Sequence, residues 1–138
     1  MKIAIINGPN LNLLGTREPD VYGSETFGSY FKTLQAKYPA IEFTYYQSNI
    51  EGELVNEIQK EGFTAQGIVF NPGGYTHTSV AIGDAIAAVT APVIEVHISN
   101  IFGREDFRKI SHVSAKARGV ISGLGLKGYE LAVQHFIG

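Results

Sequence analysis

Short apolar runs alternate with helical patterns along this chain of 138 residues, and that alternation restricts its fold more than any other feature. The runs at 2–7, 67–71 and 93–97 are apolar through their middles, as strands buried on both faces of a parallel sheet are. The pattern predicts further strands at 41–47 and 120–121, and helices at 25–38, 53–61, 79–89 and 126–137. Ser24 is expected to cap the first helix, and Ala81 to lie on the core face of the third. Such alternation is typical of an α/β protein with a parallel sheet. We therefore expect a single domain over 1–138, with a doubly wound, flavodoxin-like sheet of five strands in the order 2-1-3-4-5.

Polar residues stand at the ends of three of these strands. Asn7 follows the first, Asn71 the third and His97 the fourth. Because right-handed crossovers bring the carboxyl ends of parallel strands to one edge of the sheet, ligands bind in a crevice at that edge. The sequence therefore predicts a binding or catalytic site there.

The loop after the first strand, at about 8–24, is much longer than the roughly 2–6 residues usual in such a connection. Loops of this length are more often lids or binding loops than plain connectors. This one contains Arg17 and Tyr22. A guanidinium beside a phenol favours the phenolate. Lowering a phenol pKa from ~10 toward ~7 requires about 4 kcal/mol, which one charge at ~4 Å supplies at an effective dielectric constant of ~20. Tyr22 is therefore a candidate base.

Glu95 and His97 lie two residues apart on the fourth strand, so their side chains point to the same face. A carboxylate in this position can orient an imidazolium, the usual arrangement for a general acid. A buried structural pair is the alternative, but the following Ser99 places the pair at the predicted crevice and favours catalysis. His77 either donates a hydrogen bond to a ligand hydroxyl or caps the next helix. His112 and His135 are expected at the surface.

Several classes of function find no support in the composition. The chain has no cysteine, which excludes disulfides, thiolate metal sites and a cysteine nucleophile. A net charge of −2 gives no indication of a nucleic-acid partner. No apolar run approaches the ~18 residues that span a membrane, and the first residues lack the apolar core of a signal peptide, so we expect a cytoplasmic protein. Neither a P-loop nor a dinucleotide-binding glycine motif is present, so no cofactor is predicted.

Four long segments identify a resemblance that covers essentially the whole chain: GPNLNLLGTREPDVYG, FNPGGYTHTSVAIGDA, VHISNIFGREDFR and GVISGLGLKGYELA. In these segments the chain resembles the type II 3-dehydroquinate dehydratases. The resemblance implies a hydro-lyase without metal or cofactor, which removes water from 3-dehydroquinate by anti elimination through an enolate, giving 3-dehydroshikimate. It also implies homotrimers assembled into dodecamers. Aromatic biosynthesis through the shikimate pathway is the expected role, with quinate breakdown as the alternative.

The resemblance also assigns roles to individual residues. Tyr22 would remove the proton alpha to the ketone, activated by Arg17, and Asn10 would hold a water that stabilises the enolate. His97, oriented by Glu95, would protonate the departing hydroxyl. The substrate would be bound by a further set: Asn71, His77, the backbone amides of Ile98 and Ser99, Arg104, Arg108 and, from an adjacent subunit, Asp84.

The chain departs from the family pattern at a few positions, including Gly74, where alanine is common, and Gly83, where an arginine often precedes the aspartate. None of these departures removes a catalytic group. Two other functions remain open. One is a non-enzymatic, flavodoxin-like module that binds a nucleotide or flavin, and the other is a catalytically silent member that serves as an assembly scaffold.

Overall fold

A computed structural model describes residues 1–16, 20 and 24–138, and the structural statements below concern those residues. Its five strands form one parallel sheet in the order β2-β1-β3-β4-β5, which confirms the predicted topology. The strands are β1 (Lys2–Asn7), β2 (Glu42–Gln47), β3 (Gly67–Asn71), β4 (Val93–His97) and β5 (Gly119–Ser122). The helices are α1 (Phe27–Lys37), α2 (Glu51–Glu61), α3 (Val80–Ala88) and α4 (Lys127–Ile137).

Helices cover both faces of the sheet, because successive residues of its strands point in opposite directions. On one face, Ile3 and Ile5 of β1 pack in a core with Tyr129 and Val133 of α4 and with α1. On the other face, the alternate residues of β1 pack against α2 and α3. No helix in the described part of the chain is long and apolar enough to cross a membrane.

All four helices begin within two residues of the predicted start, and two of them differ by the full two residues. We expected α1 to follow Ser24, but Thr26 is its N-cap, and the Thr26 hydroxyl accepts a hydrogen bond from the Ser29 amide at 3.2 Å. Helix α2 begins at Glu51 rather than at residue 53, so Gly52 lies inside its first turn. Both predictions were wrong by two residues, because several residues near each start could serve as a cap or as the first helical turn.

The buried face of α3 also differs from the prediction. Ala81 was expected on the core face but is exposed, whereas Gly83 is buried. A Cβ atom at Gly83 would lie 2.3 Å from the carbonyl oxygen of His112. The segment 110–114 therefore lies directly on the helix at this point, and a glycine is what allows that approach. Ser79 caps α3 by accepting a hydrogen bond from the Ile82 amide at 3.0 Å.

Candidate active site

A cavity opens at the carboxyl end of the sheet, where the sequence predicted a site. Its lining comes from segments that follow β1, β3 and β4, together with the two short 3-10 turns Ile101–Gly103 and Asp106–Lys109. Eight of the twelve predicted site residues line it: Asn10, Asn71, His77, His97, Ile98, Ser99, Arg104 and Arg108. Pro9, Leu11, Gly73, Gly74 and Ile101 complete the lining. Arg17 and Tyr22 lie outside the described residues.

Glu95 lies behind His97 and is fully buried. One of its carboxylate oxygens, Oε2, accepts hydrogen bonds from His97 Nε2 and from the Thr76 hydroxyl, the latter at 2.7 Å. The other, Oε1, accepts from the Ser114 hydroxyl at 2.6 Å. Burial by itself raises the pKa of Glu95, but the hydrogen bond and charge of His97, with the two hydroxyl donors, hold that pKa below its ordinary value. Because Nε2 of His97 contacts Glu95, Nδ1 is the ring nitrogen left for a ligand.

The hydroxyl groups around Glu95 form a directed chain. Ser111 Oγ accepts from the backbone amides of Val113 at 3.1 Å and Ser114 at 2.9 Å, so it donates to Thr76 Oγ1, 2.7 Å away. Thr76 in turn donates to Glu95. Thr76 and Ser114 were not predicted as site residues. Each stands 19 positions from Glu95 in the sequence, and no local pattern connects them to it.

His77 has a defined tautomer. Its Nδ1 lies 2.8 Å from the carbonyl oxygen of Ile110, which can only accept, so Nδ1 carries a proton. Burial lowers the pKa of His77, and the charges of Arg108 and His97 lower it further, outweighing the effect of the Ile110 carbonyl. The neutral ring therefore offers Nε2 as an acceptor, so the prediction that His77 donates to a ligand hydroxyl is wrong. The sequence offered the alternative that His77 caps α3. That alternative is wrong, because the N-cap residue of α3 is Ser79.

Asn10 has a left-handed backbone with φ of 70°, which is uncommon for a residue other than glycine. The backbone amide of Asn10 donates to Asn49 Oδ1 at 3.0 Å, and the Gln47 side chain donates to the same oxygen at 3.2 Å. Tyr75 donates its hydroxyl to the Asn49 carbonyl at 2.7 Å. Asn49, to which the sequence gave no role, thus connects the segment containing Asn10 to the end of β2 and to the turn after β3.

The charges of the cavity favour an anionic ligand. Its described lining contains two arginines and two histidines but no carboxylate. Arg104 donates to the Ser99 hydroxyl at 3.3 Å, and Arg108 contacts both carboxylate oxygens of Glu105 at 3.1 Å. Asp84, by contrast, does not line the cavity; it lies exposed on α3.

The chain is similar to known proteins over nearly its whole length. The family model described as Dehydroquinase class II matches residues 1–137. A 3-dehydroquinate dehydratase of Fusobacterium nucleatum is 54% identical, with 99% of this chain and 97% of that protein covered. A catabolic 3-dehydroquinase of Aspergillus oryzae is 52% identical, with 96% and 88% covered. The crystal structure of a type II dehydroquinase from Butyrivibrio crossotus superposes with a TM-score of 0.96 at 46% identity, covering 100% of this chain and 98% of that one.

Proposed function

The chain belongs to the class II dehydroquinase family, and we propose that it removes water from 3-dehydroquinate to give 3-dehydroshikimate through an enolate. The observation that carries this proposal is the His97–Glu95 pair. His97 lines the cavity, Glu95 is buried behind it, and the rest of the described lining is cationic or neutral. The substrate is a carboxylate, which the two arginines attract. The pair supplies an imidazolium, which the elimination needs.

The reaction needs three chemical groups. A proton alpha to a ketone is weakly acidic and hydroxide leaves poorly, so stepwise elimination requires a base, an enolate stabiliser and an acid. Tyr22, activated by Arg17, is the proposed base. Asn10 holds the water that stabilises the enolate. His97 gives the proton on Nδ1 to the departing hydroxyl while Glu95 holds Nε2.

The remaining lining residues bind the substrate. The backbone amides of Ile98 and Ser99 take the carboxylate, and Arg104 lies on the side of the predicted lid. His77 and Arg108 bind ring hydroxyls, and the fixed tautomer of His77 supports its role as an acceptor. Asn71 contacts the substrate beside His97.

The chain is one catalytic domain over 1–138 with a lid at about 8–24, and it acts in the cytoplasm. Its reaction serves the shikimate pathway of aromatic biosynthesis. The Aspergillus oryzae relative carries the name of a catabolic enzyme, so quinate breakdown is the second candidate role.

Turnover of 3-dehydroquinate tests the function directly. The product is a conjugated enone, so ultraviolet absorbance should rise when purified protein is added to 3-dehydroquinate, without added metal or cofactor. A His97→Ala variant serves as the control for a contaminating enzyme. A wild-type protein without turnover would contradict the proposal, and a purified protein that is yellow or holds a nucleotide would favour a binding module instead.

Asp84 is proposed to act across a subunit boundary. Asp84 is exposed in the single chain and does not line its cavity. In a trimer assembled into a dodecamer, Asp84 contacts the substrate bound by an adjacent subunit. We expect Asp84→Ala to raise KM roughly tenfold, since a hydrogen bond to a charged group contributes ~1.5–3 kcal/mol. Glu42→Ala, which removes an exposed carboxylate from edge strand β2, should leave KM unchanged.

Light scattering with parallel activity assays checks the assembly. Dilution to monomers should abolish activity, because the site then lacks its Asp84. A monomer with full activity would refute both the assembly and the role of Asp84.

A further inference from the structure

Three polar side chains meet beneath the floor of the cavity, on the side of the sheet covered by α4. Tyr129 of α4 donates its hydroxyl to Asn7 Oδ1 at 2.7 Å and accepts a hydrogen bond from Asn71 Nδ2 at 2.9 Å. Asn7 and Asn71 are the last residues of neighbouring strands and are paired in register. None of the three side chains is more than 3% exposed. The mechanism above uses Asn71 but gives no role to the other two.

The hydrogen bonds define a direction. Asn7 Nδ2 lies 3.3 Å from the Tyr45 hydroxyl and donates to it, which leaves Asn7 Oδ1 as an acceptor. The proton of Tyr129 is therefore directed to Asn7, and a lone pair of the phenol oxygen is left for Asn71. Burial raises the pKa of Tyr129 far above its ordinary value, so the hydroxyl keeps this proton. The chain of donors thus runs from Asn71 through Tyr129 and Asn7 to Tyr45.

The Asn71 amide is held in one orientation by partners on both of its polar atoms. Its Oδ1 accepts from the Gly73 amide at 3.0 Å, while its Nδ2 faces Tyr129. An amide has two donor hydrogens and a carbonyl oxygen of nearly the same shape, so only its partners distinguish one orientation from the reverse. With Tyr129 on Nδ2, one hydrogen of that nitrogen remains for a ligand in the cavity, which Asn71 lines.

We propose that Tyr129 is a positioning residue for the dehydration: from the far side of the sheet, its hydroxyl fixes the Asn71 amide with an N–H available to an oxygen of the substrate. The inference rests on the proposed function, which assigns Asn71 to substrate binding. It adds a residue that does not line the cavity but, together with the Gly73 amide, holds the orientation of one that does.

A double-mutant cycle tests it, with kcat/KM for 3-dehydroquinate measured on wild type, Tyr129→Phe, Asn71→Ala and the double variant. Tyr129→Phe should lower kcat/KM about tenfold, equivalent to about 1.4 kcal/mol. Because the phenol acts through Asn71, adding Tyr129→Phe to Asn71→Ala should change kcat/KM less than twofold. Tyr30→Phe is the matched control, since this phenol lies in the same aromatic cluster and its buried hydroxyl has no side-chain partner among the described residues.

The possible results separate clearly. Equal losses in both backgrounds would show that Tyr129 supports the fold alone, and wild-type kcat/KM in either single variant would also overturn the inference. Absence of turnover in the wild type would contradict the proposed function instead. If the melting curve shows that Tyr129→Phe does not fold, the same cycle is run with Asn7→Leu. That change removes the acceptor of the Tyr129 proton, so it should lower kcat/KM only where Asn71 is present.

Discussion

Tyr22→Phe should lower kcat by at least ~10²-fold while substrate binding survives, because the change removes the proposed base and keeps the ring. Loss of a general base commonly costs 10²–10⁴-fold in rate. Arg17, five positions earlier in the same loop, is the group expected to keep the phenol ionised. Steady-state kinetics with 3-dehydroquinate measures the loss, and a binding titration with substrate shows whether affinity is retained.

His97→Ala should lower kcat as well, but at a different step. In that variant Tyr22 still removes the proton alpha to the ketone, and the enolate returns to substrate because no acid assists the hydroxide. Substrate incubated in deuterium oxide should therefore exchange its alpha proton in His97→Ala and retain it in Tyr22→Phe. Mass spectrometry of recovered substrate gives the answer. Exchange lost in the histidine variant and kept in the tyrosine variant would reverse the two roles.

Glu95→Gln should also reduce kcat by ~10²-fold or more, with a loss of stability. Glu95 accepts hydrogen bonds from His97, Thr76 and Ser114, and both of its oxygens are used. A glutamine presents an amide N–H₂ to at least one of these donors, and the His97 imidazolium loses its counter-charge. Breaking a buried charged pair costs about 3–5 kcal/mol. Ser114→Ala is the control, because it removes one donor and keeps the charge.

The same residue gives stability a defined pH dependence. The pKa of Glu95 is lower in the folded chain than its ordinary value, so the ionised carboxylate stabilises the fold at pH above the unfolded-state pKa, ordinarily ~4.3. That contribution is lost as pH falls through the folded-state pKa. The difference in unfolding free energy between wild type and Glu95→Gln should therefore narrow on acidification below about pH 5. A difference that stays constant or widens there would contradict the assignment.

The three central strands, and with them the edge of the sheet that carries the cavity, were predictable from sequence, because apolar runs mark strands buried on both faces. The pairing of Glu95 with His97 was also predictable, since residues two apart on a strand share a face. Hydrogen bonds between distant segments were not. Tyr129 stands 58 positions from Asn71, and only the packing of α4 brings its hydroxyl beneath the cavity. Ala81 was misplaced because helical spacing does not fix which neighbouring residues of α3 pack in the core, and these are Ile82, Ala85 and Ile86.

The close approach of that segment to Gly83 has an evolutionary consequence. The segment carries the Ile110 carbonyl that fixes His77, the His112 amide that donates to the Thr76 carbonyl at 2.8 Å, and the Ser114 hydroxyl that contacts Glu95. Any side chain at position 83 displaces it, since even a Cβ meets His112 at 2.3 Å. We therefore expect position 83 and positions 110–114 to vary together across the family. Replacing either one alone with a relative's residues would disturb the catalytic geometry, although position 83 lies on α3 and not in the cavity.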